Sequence, residues 1–134
     1  MAIAITQADL EKRFGVSNVK VWSDLENTGT VDTDRIEEAL AIGKAKVRNK
    51  FRLGPYSVPF EGTEDDLRPV KDLMLVYAGA WLYFSRGLQD TSVNERMQDL
   101  ADRADAEISE YFGGRARLGA TRAETMPTAP IVIQ

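Results

Sequence analysis

The chain has 134 residues, 43% hydrophobic and 28% charged, a composition that suits one soluble domain with a core of its own. It holds no cysteine and no histidine, which excludes disulfides, thiol catalysis, metal sites built on either residue and Ser-His-Asp catalysis. The net charge of −4 argues against a protein whose main task is coating nucleic acid. Residues 61–112 carry twelve Asp/Glu against five Lys/Arg, and the residues from Gly113 onward carry three Lys/Arg against one acid. An acidic middle and a basic tail suit a protein that meets copies of itself or a mixed-charge partner.

Met1–Gln7 shows no signal-peptide pattern, so synthesis in the cytoplasm is the expectation. After the short apolar arm Ala2–Ile5, Thr6 is expected to cap a helix to about Phe14, with Asp9 completing a capping box. Gly15 ends that helix. Ser17 is expected to cap a second short one through Trp22 to Leu25, with Leu10, Phe14, Val19 and Trp22 as a small satellite cluster. The stretch Asp9–Trp22 has the rhythm of a helix-turn-helix, with Asn18 and Lys20 spaced for a major groove. That motif normally has a supporting helix in front of it, and Asp24 and Glu26 follow at once. Two short packed helices at the domain edge are the expectation; a helix-turn-helix nucleic-acid-binding regulator is the alternative function.

Asp24–Asp32, DLENTGTVD, aligns on its glycine with the start of a calcium-binding loop. The twelfth place, where a bidentate glutamate should close the site, is Arg35. A Gly-centred turn with no metal and no cofactor is therefore expected. Thr33 should cap a long helix over about Asp34–Arg52, with an apolar stripe at Ile36, Leu40, Gly43, Val47 and Phe51. Glycine in mid-helix costs about 1 kcal/mol relative to alanine, so close approach of another helix is expected at Gly43. Lys44, Lys46, Arg48, Lys50 and Arg52 follow on both flanks of the stripe with no acid among them. They read either as a solvated helix end favoured by the macrodipole or as a basic surface meeting an acidic neighbour or nucleic acid.

Two prolines make Gly54–Phe60 extended, and Tyr56 within it is a candidate contact residue. Glu64, Asp65 and Asp66 sit where a helix N-terminus attracts acids, a simpler reading than a carboxylate metal site for an enzyme. The helix that follows, Leu67–Arg86, is apolar nearly all round and must be surrounded by other elements. Its charge-free stretch, between Asp72 and Arg86, is too short to span a bilayer, which takes about 20 mostly apolar residues. Gly87 stops it. A capping box, Ser92-x-x-Glu95, should open a last helix to about Phe112, with Val93, Met97, Leu100, Ala104, Ile108 and Tyr111 inside. Acids including Asp99, Asp102, Asp105 and Glu110 lie outside that stripe and make a natural partner for the basic end of the Asp34–Arg52 helix, within one subunit or between two. The fold expected is all-α: four to five helices around a central apolar helix over residues 1–114, then an extended tail over 115–134. Pro127 and Pro130 hold that tail extended, and Ile131, Val132 and Ile133 predict strand addition to a neighbouring subunit or packing on its own domain.

The order of these pieces is similar to that of a known family. An opening TQADLEKRFG, a turn DLENTGTVD leading into VDTDRIEEAL, a long helix and an extended YSVPF come first. A central helix and a last helix closing in GGRARLG complete the pattern. Over roughly Ile5 to Gly119 the chain resembles the Mu-like tailed-phage proteins, relatives of the head–tail adaptor proteins. The resemblance implies a non-enzymatic virion protein of the phage neck, made in the host cytoplasm. It implies a closed, dodecameric ring of subunits beneath the portal protein, with a tail-proximal neck or tail-completion protein on the other side. Double-stranded DNA would pass through the channel without sequence-specific binding, and no membrane is involved. Lys44, Lys46, Arg48, Lys50, Arg52, Tyr56, Asp102, Asp105 and Ile131–Ile133 are then the candidates for subunit contacts or channel lining.

Overall fold

A computed structural model describes residues 4–52, 62–87 and 90–112. Five helices and no strand are present among the described residues: α1 (Gln7–Phe14), α2 (Val16–Ser23), α3 (Thr33–Phe51), α4 (Arg68–Arg86) and α5 (Thr91–Phe112). The all-α expectation holds. None of these helices is long and apolar enough to cross a membrane.

The helix ends follow backbone chemistry, in part through different residues from those expected. Thr6 caps α1 in a true capping box: its side chain accepts the Asp9 N–H, and the Asp9 carboxylate accepts the Thr6 N–H at 3.0 Å. Gly15, at φ 98°, ends α1 and also precedes α2, a left-handed position that a side chain would strain. Because the turn is that tight, α2 already begins at Val16, so Ser17 lies inside its first turn and caps nothing; α2 ends at Ser23, short of Leu25. The cap of α3 is Asp32, whose carboxylate accepts the Arg35 N–H at 3.2 Å, and Thr33 is the first helical residue. At α5 the Ser92–Glu95 box is not used. Asp90 accepts the Val93 N–H at 3.1 Å, and the helix starts one residue earlier than expected, at Thr91. At α3 and α5 a cap one or two residues upstream reaches the free N–H groups first, whereas α2 has no side-chain cap and starts where the Gly15 turn lets it.

α4 is the centre of the molecule. Its residues Val70, Leu73–Ala80, Leu82 and Tyr83 are buried, and α1, α2, α3 and α5 all pack on it. Burial of each large apolar side chain contributes about 1.5–3 kcal/mol, so this helix carries much of the folding energy. α3 approaches most closely where Gly43 meets the α4 backbone: a Cβ at Gly43 would lie 3.0 Å from both the N and Cβ of Ala78. α5 covers another side through Met97, Ala104, Ile108 and Tyr111.

α1 and α2 are not a satellite. Leu10, Val19 and Trp22 belong to the same core as α4, and Phe14 packs against it. Trp22 meets Tyr83 edge-on at 5.3 Å and Phe14 at 5.6 Å. The physical reason is Gly79, whose missing side chain admits the Phe14 ring onto α4; a Cβ there would be 2.5 Å from Phe14 Cζ. Arg13–Asp72 at 3.0 Å and Lys71–Asp9 at 3.4 Å tie α1 to the start of α4. Arg86 at its far end donates to the Val21 carbonyl and the Asn27 side chain.

Candidate interaction surfaces

The five cations of the α3 C-terminal half divide between two flanks. Lys46 and Lys50 turn toward α5, with their ammonium groups 4.7 and 5.9 Å from the centre of the Tyr77 ring. Lys50 also pairs with Asp105 of α5 at 3.3 Å, and the Tyr77 hydroxyl donates to the same carboxylate. The expected meeting of the basic α3 end with the acidic flank of α5 is therefore present within one chain, at Lys50 and Asp105. Burial raises the pKa of the Asp105 carboxyl, but the Tyr77 hydrogen bond and the Lys50 and Lys46 charges outweigh it and hold the group below its ordinary value. Burial, reinforced by the bond to Asp105, pushes the Tyr77 phenol up, so it serves as a donor throughout the working pH range. Phe51 meets Tyr111 of α5 at a tilt at 6.3 Å and Phe112 edge-on at 5.4 Å.

Lys44 and Arg48 lie on the other flank and have no ion-pair or hydrogen-bond partner among the described residues. Arg52 follows them and donates to the neutral Asn49 amide at 2.8 Å. Asp102 is exposed on α5 and accepts from Gln98 at 3.0 Å. Tyr56 and Ile131, Val132 and Ile133 lie outside the described residues.

The Asp24–Asp32 segment is a turn organised by its own side chains. The Asp24 carboxylate accepts the Thr28 N–H at 2.8 Å, the Gly29 N–H at 2.7 Å and the Thr28 hydroxyl at 3.0 Å. The Thr28 backbone bond leads the causes that keep its pKa low, and burial opposes it. Gly29 takes φ 81°, which the turn requires. Ser23, fully buried, accepts the Asp32 N–H at 3.1 Å and closes the segment. Arg35, at the place where calcium would need a glutamate, points elsewhere: it donates to Ser85 at 2.8 Å and lies over the Trp81 ring at 5.3 Å. No group of three or more Asp or Glu side chains is placed to hold a metal ion among the described residues. Asp66 and Thr63 cap each other reciprocally, and Asp65 pairs with Arg68 at 2.9 Å.

Sequence reasoning missed a groove of about 830 Å³ between the α1–α2 pair and the first half of α5. Trp22, Tyr83 and Met97 line its depth, and Arg13, Arg96 and Arg103 stand around it beside Asp90 and Asp99. Tyr83 donates to Asn94 across its inner end. A tyrosine and a tryptophan on an apolar helix surface each need a partner for their polar atom when buried, and that was the available signal. On α2, Asn18 turns back to the Phe14 carbonyl at 2.7 Å, while Val16, Val21 and Lys20 are exposed.

No protein-family model matches the chain, and no curated protein matches it either.

Proposed function

We propose that the chain is a structural head–tail adaptor of a tailed bacteriophage, one subunit of a dodecameric ring in the virion neck beneath the portal protein. The ring extends the DNA conduit, presents a docking surface to a tail-proximal neck protein and helps retain packaged DNA. Two things support this reading: the order and spacing of the sequence pieces over Ile5 to Gly119, and an all-α bundle built around a buried helix. The observation that carries it furthest is the segregation of charge: Lys44 and Arg48, half-buried on one flank of α3, have no ion-pair partner among the described residues, while α5 carries an exposed acidic face. A subunit that must contact like subunits on two sides needs two different faces.

The chemistry of a conduit fits the charge balance. Duplex DNA binds cationic surfaces through counterion release, so a strongly basic lumen would hold the DNA that it must let slide. A net charge of −4 is consistent with a lumen that is not strongly basic. The test is a phage lacking this protein. Heads and tails are expected to accumulate unjoined, with ring-shaped particles visible by negative-stain microscopy when the purified protein is mixed with portal. Normal head–tail joining in its absence overturns the proposal. Specific, salt-dependent duplex binding by the isolated protein would instead favour the regulator reading of α1 and α2.

A further inference from the structure

Helical geometry divides the cations of α3 by spacing. Lys44, Arg48 and Arg52 recur every four residues and so share one flank, away from the Lys46–Lys50 flank that meets Tyr77 and Asp105. Positive charges one turn apart repel one another. Among the described residues no acid answers this row: Lys44 and Arg48 are unpaired, and Arg52 has a neutral partner in Asn49.

α5 shows the converse. With Met97, Ala104, Ile108 and Tyr111 buried against α4, the ridge opposite them consists of Glu95, Asp99, Asp102, Ala106 and Glu110. All five are exposed, and the one ion pair along the ridge among the described residues is Arg103 to Asp99 at 2.8 Å. The ridge faces away from α4, and the cationic row lies on the flank of α3 turned away from α5. Within one chain the two cannot meet.

We infer that they meet between copies: the acidic ridge of α5 in one subunit lies along the Lys44–Arg48–Arg52 row of α3 in the next. The occupant is a second copy because each face supplies the charge that the other lacks. The row, about 12 Å long, can lie wholly within the ridge, about 22 Å long at 1.5 Å per residue. Ala41 and Ala45 on α3 and Ala106 on α5 are exposed among these charges, and their small side chains permit the interaxial distance of about 8–10 Å that packed helices adopt. Each subunit offers the row on one side and the ridge on another. The contact is therefore heterologous, the type that builds a ring when its rotation closes. This inference rests on the ring reading above and supplies the surface through which the ring closes.

The test uses the full chain in two charge-reversed forms, Lys44→Glu with Arg48→Glu and Asp99→Lys with Asp102→Lys. Sedimentation velocity measures association in low salt and in about 0.5 M NaCl, where screening is nearly complete over a few ångströms. The unaltered chain is expected to associate in low salt and at least about tenfold more weakly in high salt. Each reversed form alone should associate at least about tenfold more weakly, because like charges then face each other. An equimolar mixture of the two should regain association, since every contact between unlike forms is again between opposite charges. Circular dichroism checks that both forms fold, and the neutral pair Lys44→Gln, Arg48→Gln gives an intermediate loss if the reversals prove unstable. A chain that stays monomeric in low salt, or a mixture that fails to regain association, overturns the inference. Association that ignores both reversals overturns this contact while leaving the ring intact; the adaptor reading falls separately, on normal head–tail joining in virions lacking the protein.

Discussion

Replacing Gly43 by alanine should destabilise the fold, against the intrinsic preference of a helix. In an open helix interior the change gains about 1 kcal/mol. Here the new Cβ would overlap the Met74 carbonyl oxygen and lie 3.0 Å from both the N and Cβ of Ala78. Carbon contacts are normally at about 3.5–4.0 Å, so α3 and α4 would have to separate by roughly 1 Å. The obstructing atoms are the backbone and the first side-chain carbon of α4, which cannot rotate away. Overpacking of this kind costs about 1–3 kcal/mol, sometimes more, and moving α4 disturbs its packing on every other helix. Because the obstacle is backbone, the upper end of about 3 kcal/mol applies, and after the propensity gain of about 1 kcal/mol a net loss of about 2 kcal/mol remains, a fall in Tm of roughly 5–10 °C. Gly79→Ala is the control. Its obstacle is an edge of the Phe14 ring, on a half-buried side chain that can shift where backbone cannot, at the expense of its seat on α4, so the net loss should be smaller than at Gly43, about 1 kcal/mol. Urea unfolding followed by far-ultraviolet circular dichroism separates the two. A Gly43→Ala chain as stable as the parent, or less affected than Gly79→Ala, would refute the packing argument.

Asp105→Ala leaves the buried Tyr77 hydroxyl without its acceptor and should cost about 1–3 kcal/mol near neutral pH. Because the folded-state pKa of Asp105 is depressed, its contribution is present above the ordinary carboxylate value and lost as pH falls through the folded value. The difference between parent and variant should therefore shrink below about pH 4, and a difference constant with pH would count against the pairing. Trp22→Ala should cost about 3–5 kcal/mol and lower a single cooperative transition, as a shared core requires; hydrogen exchange showing α1 and α2 opening alone would restore the satellite picture. Asp90→Ala should cost about 1 kcal/mol as the loss of a cap, whereas Ser92→Ala should stay within about 0.5 kcal/mol. Thermal melts of the two variants check which residue caps α5.

Local chemistry was readable wherever a signal acts over one turn. The Thr6–Asp9 box, the stop at Gly87 and the Gly-centred turn at Asp24–Asp32 all follow from neighbours within about a dozen residues. The errors have a common origin. Ser17, Thr33 and Ser92 are all acceptable caps, but Gly15, Asp32 and Asp90 stand just upstream, and composition does not rank such competitors. Gly43 lies between these cases: mid-helix glycine announced a close approach, but nothing in its surroundings named Met74 and Ala78 as the residues approached.

The amino-acid sequence by itself determined that the chain is helical, that Leu67–Arg86 must be enclosed, and that α3 carries cations without acids in its second half. Period, capping and composition are local properties, and they suffice for that much. Only the tertiary structure decided that Phe14 seats in the gap left by Gly79 and that Trp22 joins the main core against Tyr83. It also divided the cations, sending Lys46 and Lys50 to Tyr77 and Asp105 and leaving Lys44 and Arg48 unpaired among the described residues. The division depends on which side of α4 each helix occupies, an outcome of competing burial among all five helices that no single stretch encodes.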